Sequence, residues 1–104
     1  MERVAFKLKI FKGMEEEYKK RHDAIWPSLA ALLKEHGIFD YSIFLEETSG
    51  SLFAIFKIED RTRLEALPRH PLMREWWYFM KDIMETNADH SPVSIPLKEV
   101  FYLS

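Results

Sequence analysis

Two runs rich in aromatic and aliphatic residues, 38–47 and 51–58, meet across the turn-forming stretch Glu47-Thr48-Ser49-Gly50. So short a connection joins antiparallel neighbours, because a parallel pair needs a crossover of a dozen residues or more. This hairpin fixes the centre of a sheet, and the rest of the chain is read around it. Within its first strand Phe39, Tyr41, Ile43 and Leu45 share one face. Upstream, residues 3–10 alternate, with Val4, Phe6, Leu8 and Ile10 on one side and Ala5, Lys7 and Lys9 on the other. That is the pattern of a half-buried strand. Downstream, residues 97–103 read as a fourth strand.

Helical patterns fill the intervals. One begins near Met14, opened by Glu15, Glu16 and Glu17, where the helix dipole favours negative charge. Lys19, Lys20 and Arg21 follow at i+4, a charge run that reads as a solvated face without a functional role. Pro27 interrupts the helix, because its ring clashes with the preceding turn and holds Trp26 out of the α region. A break at residues 23–26 is expected, then a second segment from Pro27 to about His36, closed by Gly37. Residues 60–67 form a short helix with Asp60 or Thr62 as N-cap. Pro71 opens a helix over residues 71–84, with Met73, Trp76, Trp77, Met80, Ile83 and Met84 on a broad apolar face. Residues 85–96 are loop.

The order β-α-β-β-α-β is the ferredoxin-like α+β arrangement, and 104 residues make a single domain spanning 1–104. Its antiparallel sheet carries helices on one face only. The other face is apolar as well, and a bare apolar sheet is not tolerated on a monomer. A second copy packed face to face is the simplest cover, so the expected assembly is a homodimeric α/β barrel.

The composition excludes several classes. A net charge of −2 gives no basic field for nucleic acid, and no apolar run approaches a membrane span. The absence of cysteine removes disulfide scaffolds, thiolate catalysis and Cys-type zinc sites. Four histidines at positions 22, 36, 70 and 90 show no metal-binding spacing, so no metal and no cofactor are expected. Three glycines at 13, 37 and 50 cannot build a phosphate loop. With no secretory leader in Met1-Glu2-Arg3, a cytoplasmic location is the default.

What remains is aromatics, hydroxyls and a histidine. Tyr18 and His22 lie one turn apart, in the stripe that continues through Ile25, Leu29, Leu32 and Leu33. His22 suits proton transfer near neutral pH, or it is a structural histidine held by a carbonyl freed at the Pro27 break. The negative helix end there is expected to raise its pKa. Tyr18 and Tyr41 serve either as core or as donors to a ligand hydroxyl. Trp76 and Trp77 point about 100° apart on a helix, so one can fill core while the other faces a cavity. Indole rings suit the C–H faces and hydroxyls of sugars. His36 reads as a helix-end residue, His70 as an exposed turn, and His90 as part of a loop, 87–92, that can serve as a lid.

The runs Tyr18-Lys-Lys-Arg-His22-Asp-Ala-Ile-Trp26-Pro27, Tyr41-Ser-Ile-Phe-Leu45, Trp76-Trp77-Tyr-Phe-Met80, Ser91-Pro-Val-Ser94 and Glu99-Val-Phe-Tyr-Leu103 closely resemble the L-rhamnose mutarotase family, nearly end to end. The resemblance implies a homodimeric ferredoxin-like protein that interconverts the α and β anomers of L-rhamnose. It implies that His22 is the proton donor and that Tyr18, Tyr41, Trp76 and Trp77 bind the sugar. Two departures are Asp23-Ala24 in place of Asn-Pro and His90 in place of Asn. Tyr18, Asp89 or a bound water are the candidates for the base. The competing readings are a dimeric α/β-barrel monooxygenase, cofactor-free or haem-handling, and a non-catalytic dimer that binds a small metabolite.

Overall fold

A computed structural model describes residues 2–104. The elements run β1 (Glu2–Lys9), α1 (Glu15–Asp23), α2 (Pro27–Glu35), β2 (Ile38–Glu46), β3 (Ser51–Ile58), a 3₁₀ helix (Arg61–Arg69), α3 (Pro71–Met80) and β4 (Ile95–Leu97). The four strands form one antiparallel sheet in the order β2-β3-β1-β4. This is the expected α+β arrangement.

The hairpin lies where the turn residues put it. Gly50 adopts φ +73°, and a Cβ there would stand 3.0 Å from the Ile10 carbonyl oxygen, so both backbone shape and space require glycine. Its carbonyl accepts from the Ile10 amide at 3.0 Å, which ties the turn to the end of β1.

Pro27 acts as expected. Trp26 is extended at φ −58° and ψ 127°, and its carbonyl accepts from Leu29 and Ala30 to start α2. Gly37 at φ +81° ends that helix. Asp60 caps the following turn by accepting from the Thr62 amide, and that turn winds as a 3₁₀ helix containing Pro68. His70 caps α3: its Nδ1 accepts from the Leu72 amide at 3.1 Å, a role that replaces the expected exposed turn. The helix side of the sheet carries the core, with Val4, Leu8, Leu52, Phe56 and Ile58 packed against Leu29, Leu32, Trp76 and Met80.

Four local expectations are corrected. Phe39 does not share a face with Tyr41, Ile43 and Leu45. The pairs Phe39↔Lys57 and Ser42↔Ile55 leave one extra residue in β2, a bulge with Asp40 at φ 51°. Ile38, paired with Ile58, takes the inward place that Phe39 was expected to fill. Second, α3 stops at Met80 rather than Met84. The Met84 backbone bridges to Ile10 and the Ile83 carbonyl accepts from Phe11, so both leave the helix while staying buried.

Third, the last strand is Ile95–Leu97, not 97–103. Its register against β1 ends at Ala5↔Leu97, with only Glu2, Arg3 and Val4 of that strand left beyond it. Side chains fasten the tail instead: Arg3 donates to Glu99 at 2.6 Å and lies 3.4 Å over the Tyr102 ring. Finally, the i+4 pairs on α1 reduce to Glu17–Arg21, while Lys19 bonds forward to Asp23.

Candidate active site

Tyr18 is the single buried residue of α1, which is otherwise a strongly charged helix. One turn on, His22 lays its ring against the Tyr18 ring, with centroids 4.3 Å apart and planes 26° from parallel. The ring of Trp76 on α3 stands nearly perpendicular to that of His22, with centroids 5.4 Å apart and planes at 89°. Tyr41, on the bulged part of β2, stacks on Phe56 at 5.1 Å. It stands near enough to Tyr18 for charge on one phenol to disfavour charge on the other. The sheet and two helices thus bring Tyr18, His22, Trp76 and Tyr41 into one cluster. Trp77 is half-buried against the core and, among the described residues, makes no ring contact with the other four. Its neighbour Trp76 is the one that fills core.

His22 Nδ1 lies 3.1 Å from the Tyr18 carbonyl oxygen. A carbonyl only accepts, so Nδ1 carries the hydrogen, and in the neutral ring the lone pair falls on Nε2. The anchoring carbonyl lies inside α1, four residues back, and is not one freed at the Pro27 break. Burial pushes the His22 pKa below its ordinary 6.5, while the Tyr18 carbonyl and Asp23 pull weakly the other way. The expectation of a raised value is therefore overturned. His22 is half-buried, and loss of hydration outweighs the Tyr18 carbonyl and the Asp23 charge.

Both phenols are held in their neutral form. Burial raises Tyr18 well above the usual phenol range, with Tyr41 adding to it. Tyr41 is pushed up to about 12, again by desolvation, although 39% of the residue is exposed.

Asp89 lies elsewhere. Its carboxylate accepts from the Ser91 amide, in an exposed loop that lines a separate shallow hollow with Arg74, Tyr78 and His90. His90 packs edge-on against Tyr78 at 5.3 Å, with φ 69°. His36 Nδ1 bonds the Leu32 carbonyl at the end of α2, as expected. Among the described residues no group of three His, Asp or Glu side chains converges in a way that could hold a metal ion.

Two rings escaped the sequence reading. Trp26 meets Trp76 edge-on at 5.0 Å, and Phe79 lies 5.6 Å from each of them. Local pattern marks Trp26 only as the residue that Pro27 holds out of the α region. Its signal was the size of an indole placed beside a helix break, where only packing could hold it.

Comparison with known proteins identifies the family of the chain. The model of a family described as L-rhamnose mutarotase matches residues 3–103. The chain belongs to the L-rhamnose mutarotase family. An L-rhamnose mutarotase of Sinorhizobium fredii is 54% identical over 104 residues, all of both chains. One of Flavobacterium johnsoniae is 56% identical, covering 97% of this chain and 94% of the other. The crystal structure of an L-rhamnose mutarotase from Formosa agariphila superposes over 100% of both chains, with a TM-score of 0.94 and 48% identity. A Mycobacterium tuberculosis structure, 13% identical with a TM-score of 0.61 over 98% of this chain and 97% of that one, shares the fold alone. Among the described residues no helix is long and apolar enough to cross a membrane.

Proposed function

We propose that this chain interconverts the α and β anomers of L-rhamnopyranose, with His22 transferring the proton and Tyr18, Tyr41, Trp76 and Trp77 binding the sugar. The observation that carries the reading is the His22 ring, pinned at Nδ1 by the Tyr18 carbonyl, stacked on Tyr18 and perpendicular to Trp76. Such a ring has a single nitrogen, Nε2, left for exchange, and it is neutral at pH 7.

Mutarotation needs a proton taken from the anomeric oxygen O1 and one given to the ring oxygen O5. Both oxygens are bonded to C1, so one imidazole nitrogen can serve both. Neutral His22 accepts the O1 proton as the C1–O5 bond breaks and C1=O1 forms. The imidazolium then donates to O5, giving the open-chain aldehyde. Rotation about C1–C2 and readdition of the O5 hydroxyl to the other face of the carbonyl, with the reverse proton transfers, gives the second anomer. The raised phenols keep their protons, so Tyr18 and Tyr41 donate hydrogen bonds rather than act as the base.

A homodimer in the cytoplasm is part of the proposal. Paired residues share a face in an antiparallel sheet, so Phe44, Phe53, Ile55, Ile95 and Leu97 lie together on the side opposite the core. Of these Phe44 is 63% exposed and Ile95 54%, an apolar surface suited to a second copy. Sedimentation equilibrium tests this assembly, with a monomeric mass overturning it.

The decisive assay is NMR saturation transfer between the anomeric protons of L-rhamnose, with and without protein. Acceleration over buffer that disappears in His22→Ala is expected. Acceleration that survives the substitution removes His22 from the chemistry, and binding without acceleration leaves only a metabolite-binding dimer.

A further inference from the structure

Helix α1 holds the proposed proton-transfer group but has little core of its own, since Tyr18 alone is buried. Something else must set how closely its last turn approaches α3, where Trp76 stands. Arg21, next to His22 in that turn, makes the connection. Its side chain is 13% exposed, against 77% for Lys19 on the same helix. Nη1 donates to Asp82 Oδ1 at 2.8 Å and to the Phe79 carbonyl at 2.8 Å, and Nη2 donates to Asp82 Oδ2 at 3.1 Å. Nε donates to Glu17 at 2.8 Å, which locks the guanidinium to its own helix. The Phe79 carbonyl belongs to the last turn of α3, where no further helical amide can reach it. The same guanidinium carbon lies 4.6 Å from the Phe79 ring centroid, and that ring packs on Trp76 at 5.6 Å.

We infer that Arg21 is a positioning residue: its planar fork joins the end of α1 to the end of α3 and so holds His22 at its working distance from Trp76. The inference rests on the proposed role of His22, but the placement it asserts is measurable without turnover. A lysine carries the charge without the fork, and small misplacements of a reacting group are costly in rate. The proposed sugar-binding residues Tyr18 and Trp76 are anchored by their own burial in the core while His22 is only half-buried, so the loss falls on kcat.

The test is Arg21→Met, which keeps the aliphatic stem, beside Arg21→Lys and Asp82→Asn. Saturation-transfer kinetics should show kcat lowered about ten- to a hundredfold in Arg21→Met, with KM for L-rhamnose within about twofold of wild type. Arg21→Lys should recover part of that loss, and Asp82→Asn should show a smaller loss in the same direction. Independently of activity, the His22 ring protons, shifted by the Trp76 ring, should move in Arg21→Met while those of His36 and His70 stay in place. General loosening of the fold would instead move all three. Unchanged kcat, or unchanged His22 shifts, overturns the inference. Should Arg21→Met fail to fold, Asp82→Asn decides, and wild-type kcat and His22 shifts there overturn it equally. If the wild-type protein accelerates no anomer exchange, the proposed function fails, while the ring shifts still judge the placement.

Discussion

Helices α1 and α2 are each nine residues long and meet at the Pro27 break, yet they are held by opposite means. Helix α2 buries Leu29 and Leu32 in the core. Helix α1 buries only Tyr18 and is otherwise fixed by directed contacts: the His22 ring near Trp76 and the Arg21 fork on Asp82 and the Phe79 carbonyl. Burial is non-directional and secures position approximately, whereas hydrogen bonds and ring contacts fix orientation. The reacting side chain lies on the helix held by orientation. The break at Pro27 separates the two jobs.

This contrast is open to attack by substitution. The largest effect should come from His22→Ala, with anomer exchange falling about 10²–10⁴-fold when a general acid–base group is lost. Its thermal melt should stay close to wild type. Leu29→Ala should do the reverse, costing about 2–5 kcal/mol in chemical denaturation while the rate per folded molecule is kept. A catalytic loss in folded Leu29→Ala would show that the two helices do not divide the work as described.

The His22 pKa gives a third, smaller effect. Its value is lower folded than unfolded, so the fold favours the neutral ring. That contribution to stability is complete above the ordinary value of 6.5 and is lost as pH falls through the lowered folded value. The acid limb of kcat/KM should likewise lie below 6.5, and NMR titration of the ring checks both. A rate that falls as pH rises through this range would mean the resting ring is protonated. Smallest of all, Lys19→Ala removes only an exposed pair with Asp23, and should leave melt and rate unchanged within error.

Much of the frame is legible in the sequence because its signals are local. Gly50 and the polar turn set the hairpin, Pro27 and Gly37 bound α2, and Pro71 starts α3. The Tyr18–His22 turn follows from helical spacing alone. Other features depend on partners distant in sequence. The end of α3 is decided by Ile10 and Phe11, residues more than sixty positions away. The tail from Lys98 contains the β-prone run Val100-Phe101-Tyr102-Leu103, but whether it pairs depends on how much of β1 lies opposite. Arg21 resembles Lys19 and Lys20 in sequence and differs only through Asp82 and Phe79. The His22 pKa follows the same logic: the helix end is visible locally, while the burial that lowers the value includes Trp76 from α3.

The bulge at Asp40 carries a consequence for insertions and deletions. Alternation has a period of two, so a one-residue edit in a regular strand sends every later side chain through the sheet. In β2 the extra residue is already present, and Ile38, Tyr41, Ile43 and Leu45 face inward because of it. Deleting Asp40 would leave Ile38, Phe39, Tyr41, Ser42 and Ile43 in plain alternation, each on the face it now occupies. What the deletion would take away is the bend beneath Tyr41 and the Asp40–Lys57 ion pair. The strand thus carries a residue that its pairing does not need, and the part it shapes is the stretch that presents Tyr41 to Phe56.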